Sequence, residues 1–314
     1  MIQTVTGAVK KADMGAVLMH EHISCASLSF RSAFGDKWLD RDKLKKLSCE
    51  ALKQTKEQYG LGLFVDGTPI DLGRDPELLR EISELTGIKI IASTRFYFLQ
   101  GVEAFDNDAG ELAGWLIEEC KTGIRKTGIK PGILKCATGG MGITDDNRKR
   151  LTAMAMVQKA TGLPLYVHCE HFRDIALQQL ETLLACGADA EKIIIGHAAM
   201  RPNGEYLESI LARGCFVCMD QCHCYPDKFP LLVETLVTLC QKGYAEKLLI
   251  SNDYCIHNDC WSREKNGLHL TAGQHADALG FVFGKLYQNY ITAGGTQEDW
   301  ETMLNKNPIQ VLDH

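Results

Sequence analysis

The sequence predicts an α/β protein folded as a (β/α)8 TIM barrel with a short N-terminal strand pair. Eight short apolar runs rich in Ile, Leu and Val recur along the 314 residues, and the longer segments between them have helical periodicity. Strands that are apolar on both faces are typical of a parallel sheet covered by helices. Eight strand–helix units over about 250 residues match a closed barrel. The alternative is an open doubly wound sheet, which normally carries a Gly-rich phosphate loop that this sequence does not show.

The predicted strands follow one another through most of the chain, and we therefore expect one domain over residues 1–314. In order they are AVLMHEH (16–22), LGLFVDGT (61–68), IKIIAST (88–94), PGILKCAT (131–138), LPLYVHCE (163–170), KIIIGHA (192–198), GCFVCMD (214–220) and EKLLISND (246–253). The residues before the first strand are expected to form the small strand pair that caps the barrel.

Helix boundaries are marked by capping residues. Asp75 and Pro76 predict a helix start and Gly87 predicts its end, because aspartate favours the N-cap, proline the first turn and glycine the C-terminal end. Further helices are predicted from about Asp146 to Gly162, around residues 206–211 with an end at Gly214, and over residues 230–243, PLLVETLVTLCQKG.

Composition excludes several classes of protein. The net charge is −6 with both signs interspersed, so no basic stripe suggests a nucleic-acid partner or an anionic membrane surface. No apolar run approaches the roughly 20 residues of a membrane span. The N-terminal residues lack the apolar core of a signal peptide. We expect a cytoplasmic protein that acts on a small molecule and binds neither nucleic acid nor membrane.

The thirteen cysteines are scattered and odd in number, which does not fit a secreted disulfide framework. Most are expected to be small core residues. Two clusters stand apart, at residues 222–224 and 255–260, but neither has the C-x2-C spacing that is usual in structural zinc sites. Oxidation sensitivity and binding of an extra metal both remain open for these clusters.

Polar residues stand at the ends of several predicted strands. His20 and His22 close the first strand and share one of its faces, because side chains alternate along a strand. Two imidazoles on one face are favoured if both are neutral and face a metal ion. Chemistry in a barrel of this kind lies at the carboxyl ends of the strands, where Lys135, His168, His197 and Asp253 also fall.

Four histidines and one aspartate are donors that suit two zinc-like ions sharing a bridging hydroxide. Lys135 is anomalous, since an ammonium group has three donors and no acceptor. It would ligate a cation only if its charge were removed, for instance by a carboxyl group on its nitrogen. Taken singly, His168 and His197 also fit buried core histidines, Lys135 an ion-pair partner and Asp253 a helix N-cap. The occurrence of these four residues, with His20 and His22, at five matching strand ends favours a metal centre.

These motifs resemble the phosphotriesterase family of the amidohydrolase superfamily over nearly the whole chain. The matching stretches are GAVLMHEHI, DGTPIDLGRD, GILKCAT, LPLYVHCE, IIIGHAAM, ARGCFVCMDQ, KGYAEKLLISNDYC and NKNPIQVL. The resemblance implies a barrel hydrolase with a binuclear centre of two divalent ions, usually zinc. It implies that a buried metal is held by His20, His22 and Asp253, and a more exposed one by His168 and His197.

The resemblance further implies that Lys135 is carboxylated and bridges both ions. Some relatives carry glutamate at this position, and the lysine here supports the carboxylated form. In the mechanism that the family implies, the exposed metal polarises a carbonyl or phosphoryl oxygen and the bridging hydroxide attacks. Asp253 then takes the proton as general base, which makes it the predicted catalytic residue.

Departures from the family pattern bear on the substrate. Tyr97 matches a tyrosine beside the lactone ring of related lactonases, although a packed aromatic residue is the alternative. Arg95 stands where relatives usually have glycine, and Gln221 follows Asp220 where lactonases for acyl-homoserine lactones have Asp-Arg. The basic residues expected near the mouth, which suit a substrate phosphate or carboxylate or else are solvated, are Lys228, Arg263 and Lys265.

The sequence therefore favours a metal-dependent lactonase that acts on a small sugar lactone, with or without a phosphate. The same hydroxide would attack a phosphotriester or another phosphoester, so a phosphotriesterase is the main alternative. Cleavage of an amide or carboxylic ester is a third reading, and a non-catalytic metal-binding protein a fourth. The resemblance also implies a homodimer, since the family often forms dimers.

Overall fold

The structure is a computed structural model, which describes residues 1–11, 14–95, 107–170, 174–260 and 267–313. Its strands are β1 (Ile2–Thr4), β2 (Gly7–Val9), β3 (Ala16–Cys25), β4 (Leu61–Asp66), β5 (Lys89–Arg95), β6 (Ile133–Ala137), β7 (Leu165–His168), β8 (Ile193–Gly196), β9 (Phe216–Met219), β10 (Leu248–Ile250) and β11 (Cys255–Asn258). Strands β1 and β2 form a separate antiparallel pair, as predicted, and the other nine form one parallel sheet.

Helices connect the strands along the chain. They are α1 (Leu28–Phe34), α2 (Arg41–Tyr59), α3 (Pro76–Thr86), α4 (Ala109–Thr122), α5 (Asp145–Thr161), α6 (Ala176–Ala185), α7 (Gly204–Leu211), α8 (Phe229–Gln241), α9 (Ala272–Leu279), α10 (Tyr287–Thr292), α11 (Gln297–Glu301) and α12 (Asn307–Leu312). Within the described ranges, none of them combines the length and the apolar character that crossing a membrane requires.

The parallel sheet curls round until one stretch of chain joins its two edges. The strand order runs from β10 through β9 back to β3 and ends at β11. Strand β10 pairs with β9, and β11, five residues further along the chain, pairs with β3. Between them the Asp253 amide donates to the carbonyl of His20 at 2.8 Å. Together β10 and β11 occupy the eighth strand position, which confirms the predicted α/β barrel.

The helix signals in the sequence are confirmed, with small shifts at the ends. The Asp75 carboxylate accepts a hydrogen bond from the Leu78 amide at the start of α3, and Gly87 ends that helix in the left-handed region. Helix α5 is capped by Thr144, one to two residues earlier than expected. Helix α7 ends at Leu211 with Ala212 as its C-cap, before the predicted Gly214.

Two apolar layers position the carboxyl ends of the strands. The outer layer packs the helices on the sheet, and the inner layer fills the barrel with side chains from nearly every strand. Ile2 and Leu312 belong to the inner layer, so the two chain ends close the bottom of the barrel. With that end filled, the polar residues collect at the opposite end, where a barrel site is expected.

Gly196 at the end of β8 illustrates how tightly this layer packs. A Cβ atom at this position would lie 2.2 Å from the ring of Tyr166. We expect Gly196→Ala to lower the free energy of unfolding by about 1–3 kcal/mol through overpacking, measured by urea denaturation. Gly114→Ala in α4 is the control, because nothing lies within 4 Å of its Cβ, and it should raise stability by about 0.4–1 kcal/mol. Equal effects of the two changes would contradict this packing.

Candidate metal centre

The first strand of the barrel presents its two histidines to the interior, as the alternation predicts. Both are buried, with His20 1% and His22 5% exposed. Their rings lie 5.2 Å apart between centroids in an edge-on arrangement. The Nδ1 atom of His22 lies 2.9 Å from the hydroxyl of Thr68, which follows β4. This contact orients the ring so that its Nε2 faces the centre of the site.

Asp253 contacts histidines from both sides of the site. Its Oδ1 lies 3.1 Å from Nε2 of His22 and 3.4 Å from Nε2 of His20. Its Oδ2 lies 3.8 Å from Nδ1 of His197 and accepts a hydrogen bond of 2.7 Å from the Gln221 side chain. The residue adopts a left-handed backbone, φ +56°, which costs of order 1–3 kcal/mol for a residue other than glycine.

His168 and His197 form the second histidine pair. Strands β7 and β8 place them at adjacent strand ends, with ring centroids 4.3 Å apart. His197 also has a left-handed backbone, φ +64°, and is 1% exposed. Its Nε2 is buried and has no hydrogen-bond partner among the described residues. A buried nitrogen in that position costs free energy unless a ligand engages it, which is what a metal ion would do.

Asp220, which directly follows β9, is a residue that the sequence analysis did not include in the site. It is completely buried, and its two oxygens lie 3.3 Å from Nδ1 of His20 and 3.1 Å from Nδ1 of His197. The Tyr166 hydroxyl donates to the same carboxylate. A carboxylate on Nδ1 fixes the tautomer of each ring and leaves Nε2 as the ligating nitrogen. Its place at a strand end was the signal available in the sequence.

Glu21 is a second residue whose role the sequence did not reveal. The alternation along the strand placed it only on the face opposite His20 and His22. It is completely buried and points away from the histidines into the turn that precedes β11. Its carboxylate accepts hydrogen bonds of 2.7 Å from the Ser251 hydroxyl, 2.7 Å from the Asn252 amide and 2.8 Å from the Tyr254 amide. These three bonds flank Asp253 and hold the backbone that presents it.

Lys135 reaches the same centre from β6. It is 2% exposed, its Nζ contacts Nε2 of His20, and the ammonium lies 5.0 Å from the Tyr166 ring centroid. A Cβ atom on Gly67 would lie 2.8 Å from this Nζ, so glycine at the end of the second strand leaves space for the lysine. Lys135 therefore lies among the predicted ligands in the folded chain.

The electrostatics favour a cation at this place. Burial lowers the pKa of His20 to about 3, so its imidazole is neutral at physiological pH and able to ligate. Burial alone would raise the pKa of Asp253, but neighbouring His20 and the hydrogen bond from His22 bring it well below its usual range. Burial would also lower the pKa of His22, yet Cys25 and Asp253 raise it to about 9, so this ring holds a proton that a bound metal ion would replace.

The donor set fits metal ions on geometry as well. His20, His22 and Asp253 form a group whose candidate ligand atoms lie within 4.8 Å of one another. Imidazole nitrogen and carboxylate oxygen are zinc donors. The structure thus brings His20, His22, Lys135, His197 and Asp253 into polar contacts with one another, and His168 packs on the ring of His197.

The predicted substrate residues are described only in part. Lys228 precedes α8, and its Nζ donates to the Met200 carbonyl at 3.1 Å and lies 5.1 Å from the Tyr225 ring centroid. Met200 follows β8, so Lys228 lies on the side of the barrel where the strands end. Tyr97, Arg263 and Lys265 fall outside the described residues, and their roles stay predictions.

A parallel α/β barrel with histidines and aspartates gathered at the carboxyl ends of its strands defines a barrel protein with a candidate metal site. The sequence pattern of the phosphotriesterase family matches residues 1–312. The chain belongs to the phosphotriesterase family, whose members depend on a binuclear metal centre, which confirms the resemblance seen in the sequence.

Three relatives indicate the range of activities among similar proteins. The chain is 28% identical to a phosphotriesterase homology protein of Mycobacterium tuberculosis, over 99% of this chain and 97% of the relative. It is 30% identical to an aryldialkylphosphatase of Saccharolobus solfataricus, over 82% of each. It is 29% identical to an N-acetyltaurine hydrolase of Rattus norvegicus, over 99% of this chain and 97% of the relative.

The contacts of Asp220 generate a test of the centre. In Asp220→Asn one of the two histidines loses a carboxylate acceptor on Nδ1, and we expect zinc affinity to fall about 10–100-fold, measured by competition with a chelator. Asp189→Asn, the same chemical change at the cap of a short surface turn, is the control and should leave affinity unchanged. Unaltered zinc binding in Asp220→Asn would contradict the positioning role.

Proposed function

We propose that this chain is a hydrolase that binds two divalent ions, zinc by the nature of the donors, at the strand ends of the barrel. The observation that carries the proposal is the Asp253 carboxylate, whose two oxygens face different histidines. The proposed ligands are His20, His22, Lys135 in carboxylated form, His168, His197 and Asp253. The buried Nε2 of His197, which has no hydrogen-bond partner in the described part of the chain, is then a ligand atom.

When bound, the two ions supply an electrophile for the scissile group and lower the pKa of water so that it attacks at neutral pH. The protein groups have separate tasks. Asp253 is ionised, 14% exposed and at the centre of the cluster, so it is placed to take a proton as general base. Asp220 holds two imidazoles in one tautomer, and the Gln221 amide fixes the direction of the Asp253 carboxylate.

The proposed substrate is a small lactone, in particular a sugar lactone with or without a phosphate. Tyr97 supports this through its match to related lactonases. Lys228 supports an anionic substituent, because an ammonium group has three N–H donors and the Met200 carbonyl takes one of them. A phosphotriester is the second candidate, favoured by the 30% identity to an aryldialkylphosphatase.

A substrate panel tests this choice. Zinc-reconstituted protein is assayed on sugar lactones with and without a phosphate, acyl-homoserine lactones, an aryl phosphotriester and N-acetyltaurine. We expect the fastest turnover on a phosphorylated lactone, with its unphosphorylated counterpart slower and the difference reduced in Lys228→Ala. Turnover confined to the phosphotriester or to the amide, with two metals bound, would overturn the lactonase proposal and leave the hydrolase proposal standing.

The role of Asp253 has its own test. We expect Asp253→Ala to lower kcat at least about 100-fold, the lower range for removing a general base, while circular dichroism shows an intact fold. Asp277→Ala, an exposed aspartate on α9, is the control and should keep full activity. Retained turnover in Asp253→Ala would sink the proposed mechanism.

Carboxylation of Lys135 is tested by substitution and metal counting. Lys135→Glu supplies acceptor oxygens in place of the ammonium, so we expect it to retain both metals, whereas Lys135→Ala should lose at least one. Mass spectrometry of the native wild-type protein should show the added mass of one carbon dioxide. Two metals in Lys135→Ala would contradict a bridging role.

A further inference from the structure

A group of soft donors lies next to the hydrolytic cluster. Cys25 is at the end of β3, three residues beyond His22, and Cys255 begins β11, two residues beyond Asp253. Their Sγ atoms lie 3.8 Å apart, and both thiols are free. A ligand nitrogen of His22 and the two sulfur atoms all lie within 4.8 Å of one another.

Strand register argues against a disulfide between these thiols. In the pairing of β3 with β11, Cys255 is opposite His22 and Cys25 is opposite Asn258. The two cysteines are therefore offset by three residues along their strands rather than directly opposite each other. Their Sγ atoms are 3.8 Å apart, well beyond the roughly 2.05 Å of a disulfide bond, so the thiols meet only at their tips.

Tip-to-tip thiols are a suitable arrangement for one bridging cation. Two thiolates bound to a tetrahedral zinc at Zn–S distances of about 2.3 Å lie about 3.8 Å apart, which is the separation found here. Sulfur atoms in van der Waals contact have a similar spacing, so it is the third donor that distinguishes a metal site from simple packing. A ring nitrogen of His22 beside the sulfur atoms completes a mixed sulfur–nitrogen set of the kind that selects soft divalent ions.

The surroundings suit such an ion. Cys25 is 1% exposed and belongs to a small apolar cluster with Leu72 and Ala137, against which the half-buried Cys255 and Cys260 pack. Charge attraction between thiolates and a cation is stronger where water is excluded. The half-buried Cys255 leaves this pocket partly open, so an ion has a route to the buried thiol.

We propose that Cys25, Cys255 and His22 form an auxiliary site for one thiophilic divalent cation, such as cadmium or excess zinc. The site gives up its thiol and imidazolium protons to solvent when the ion binds, and two metal–sulfur bonds and one metal–nitrogen bond form. His22 belongs to this site and to the hydrolytic cluster, and a neutral imidazole offers one lone pair at a time. Filling the auxiliary site therefore withdraws His22 from Asp253.

The test is a cadmium titration of the full-length protein, followed by the ultraviolet thiolate-to-cadmium charge-transfer band. This readout does not depend on any substrate, so it stands apart from the proposed function. We expect the band to grow in the wild type until one cadmium ion per chain is bound through thiolate. Cys25→Ser and Cys255→Ser should each weaken this binding at least about tenfold, since each removes one of three ligands.

Cys224→Ser is the matched control, because Cys224 is the exposed thiol of the described chain and would report adventitious surface binding. It should keep the full band. Should the buried Cys25 tolerate no change, the half-buried Cys255 carries the test. The proposal is overturned if no band forms, if the band survives in Cys255→Ser, or if Cys224→Ser removes it. A band of unchanged affinity in His22→Asn would contradict the three-ligand site.

Discussion

The hydrogen bonds to the buried carboxyl group of Glu21 are the interaction on which both the barrel and its centre depend. Glu21 lies on the first barrel strand and accepts hydrogen bonds from Ser251, Asn252 and Tyr254, where the chain passes from β10 to β11. The same stretch joins the two edges of the sheet. Together with the hydrogen bond from the Asp253 amide to the His20 carbonyl, these bonds hold the left-handed backbone at Asp253, so closure of the sheet and placement of this carboxylate depend on the same residues.

The centre stores an unfavourable arrangement that a cation would relieve. Buried imidazoles, two carboxylates and a lysine lie within a few ångströms, and three residues at its strand ends, His197, Gln221 and Asp253, have left-handed backbones. Burying charges without full pairing is costly, and strained backbones collect at functional sites. Asp220 and Gln221 lessen the cost by fixing the histidines and Asp253. The part of this free-energy cost that these contacts do not remove favours metal binding.

The fold and most of the centre could be predicted from the sequence because both follow from periodicity. Apolar runs fixed the strands, and the alternation along β3 placed His20 and His22 on one face. The position of a polar residue at a strand end predicted four further site residues, which are Lys135, His168, His197 and Asp253. Asp220 stood at a strand end too, but its completely buried contact with two imidazoles depends on packing across the barrel, which no local pattern encodes.

Glu21 and the thiol pair escaped prediction for a related reason. The alternation along β3 places Glu21 on the face away from the site. Only the closure of the sheet shows that it accepts hydrogen bonds from residues 251–254. Cys25 and Cys255 are 230 positions apart, and their meeting depends on the β3–β11 register. Helix α5 begins slightly before the predicted Asp146 because the Thr144 side chain caps it by accepting a hydrogen bond from the Asn147 amide.

The central claim is that two metal ions lie around Asp253, and anomalous diffraction at the zinc edge from crystals of the wild-type protein tests it most directly. The account predicts two anomalous peaks, one beside His20 and His22 and one beside His168 and His197, with density for a carboxyl group on Lys135 between them. Crystals grown with zinc that show no peak at Asp253, or a single peak remote from these histidines, would contradict it.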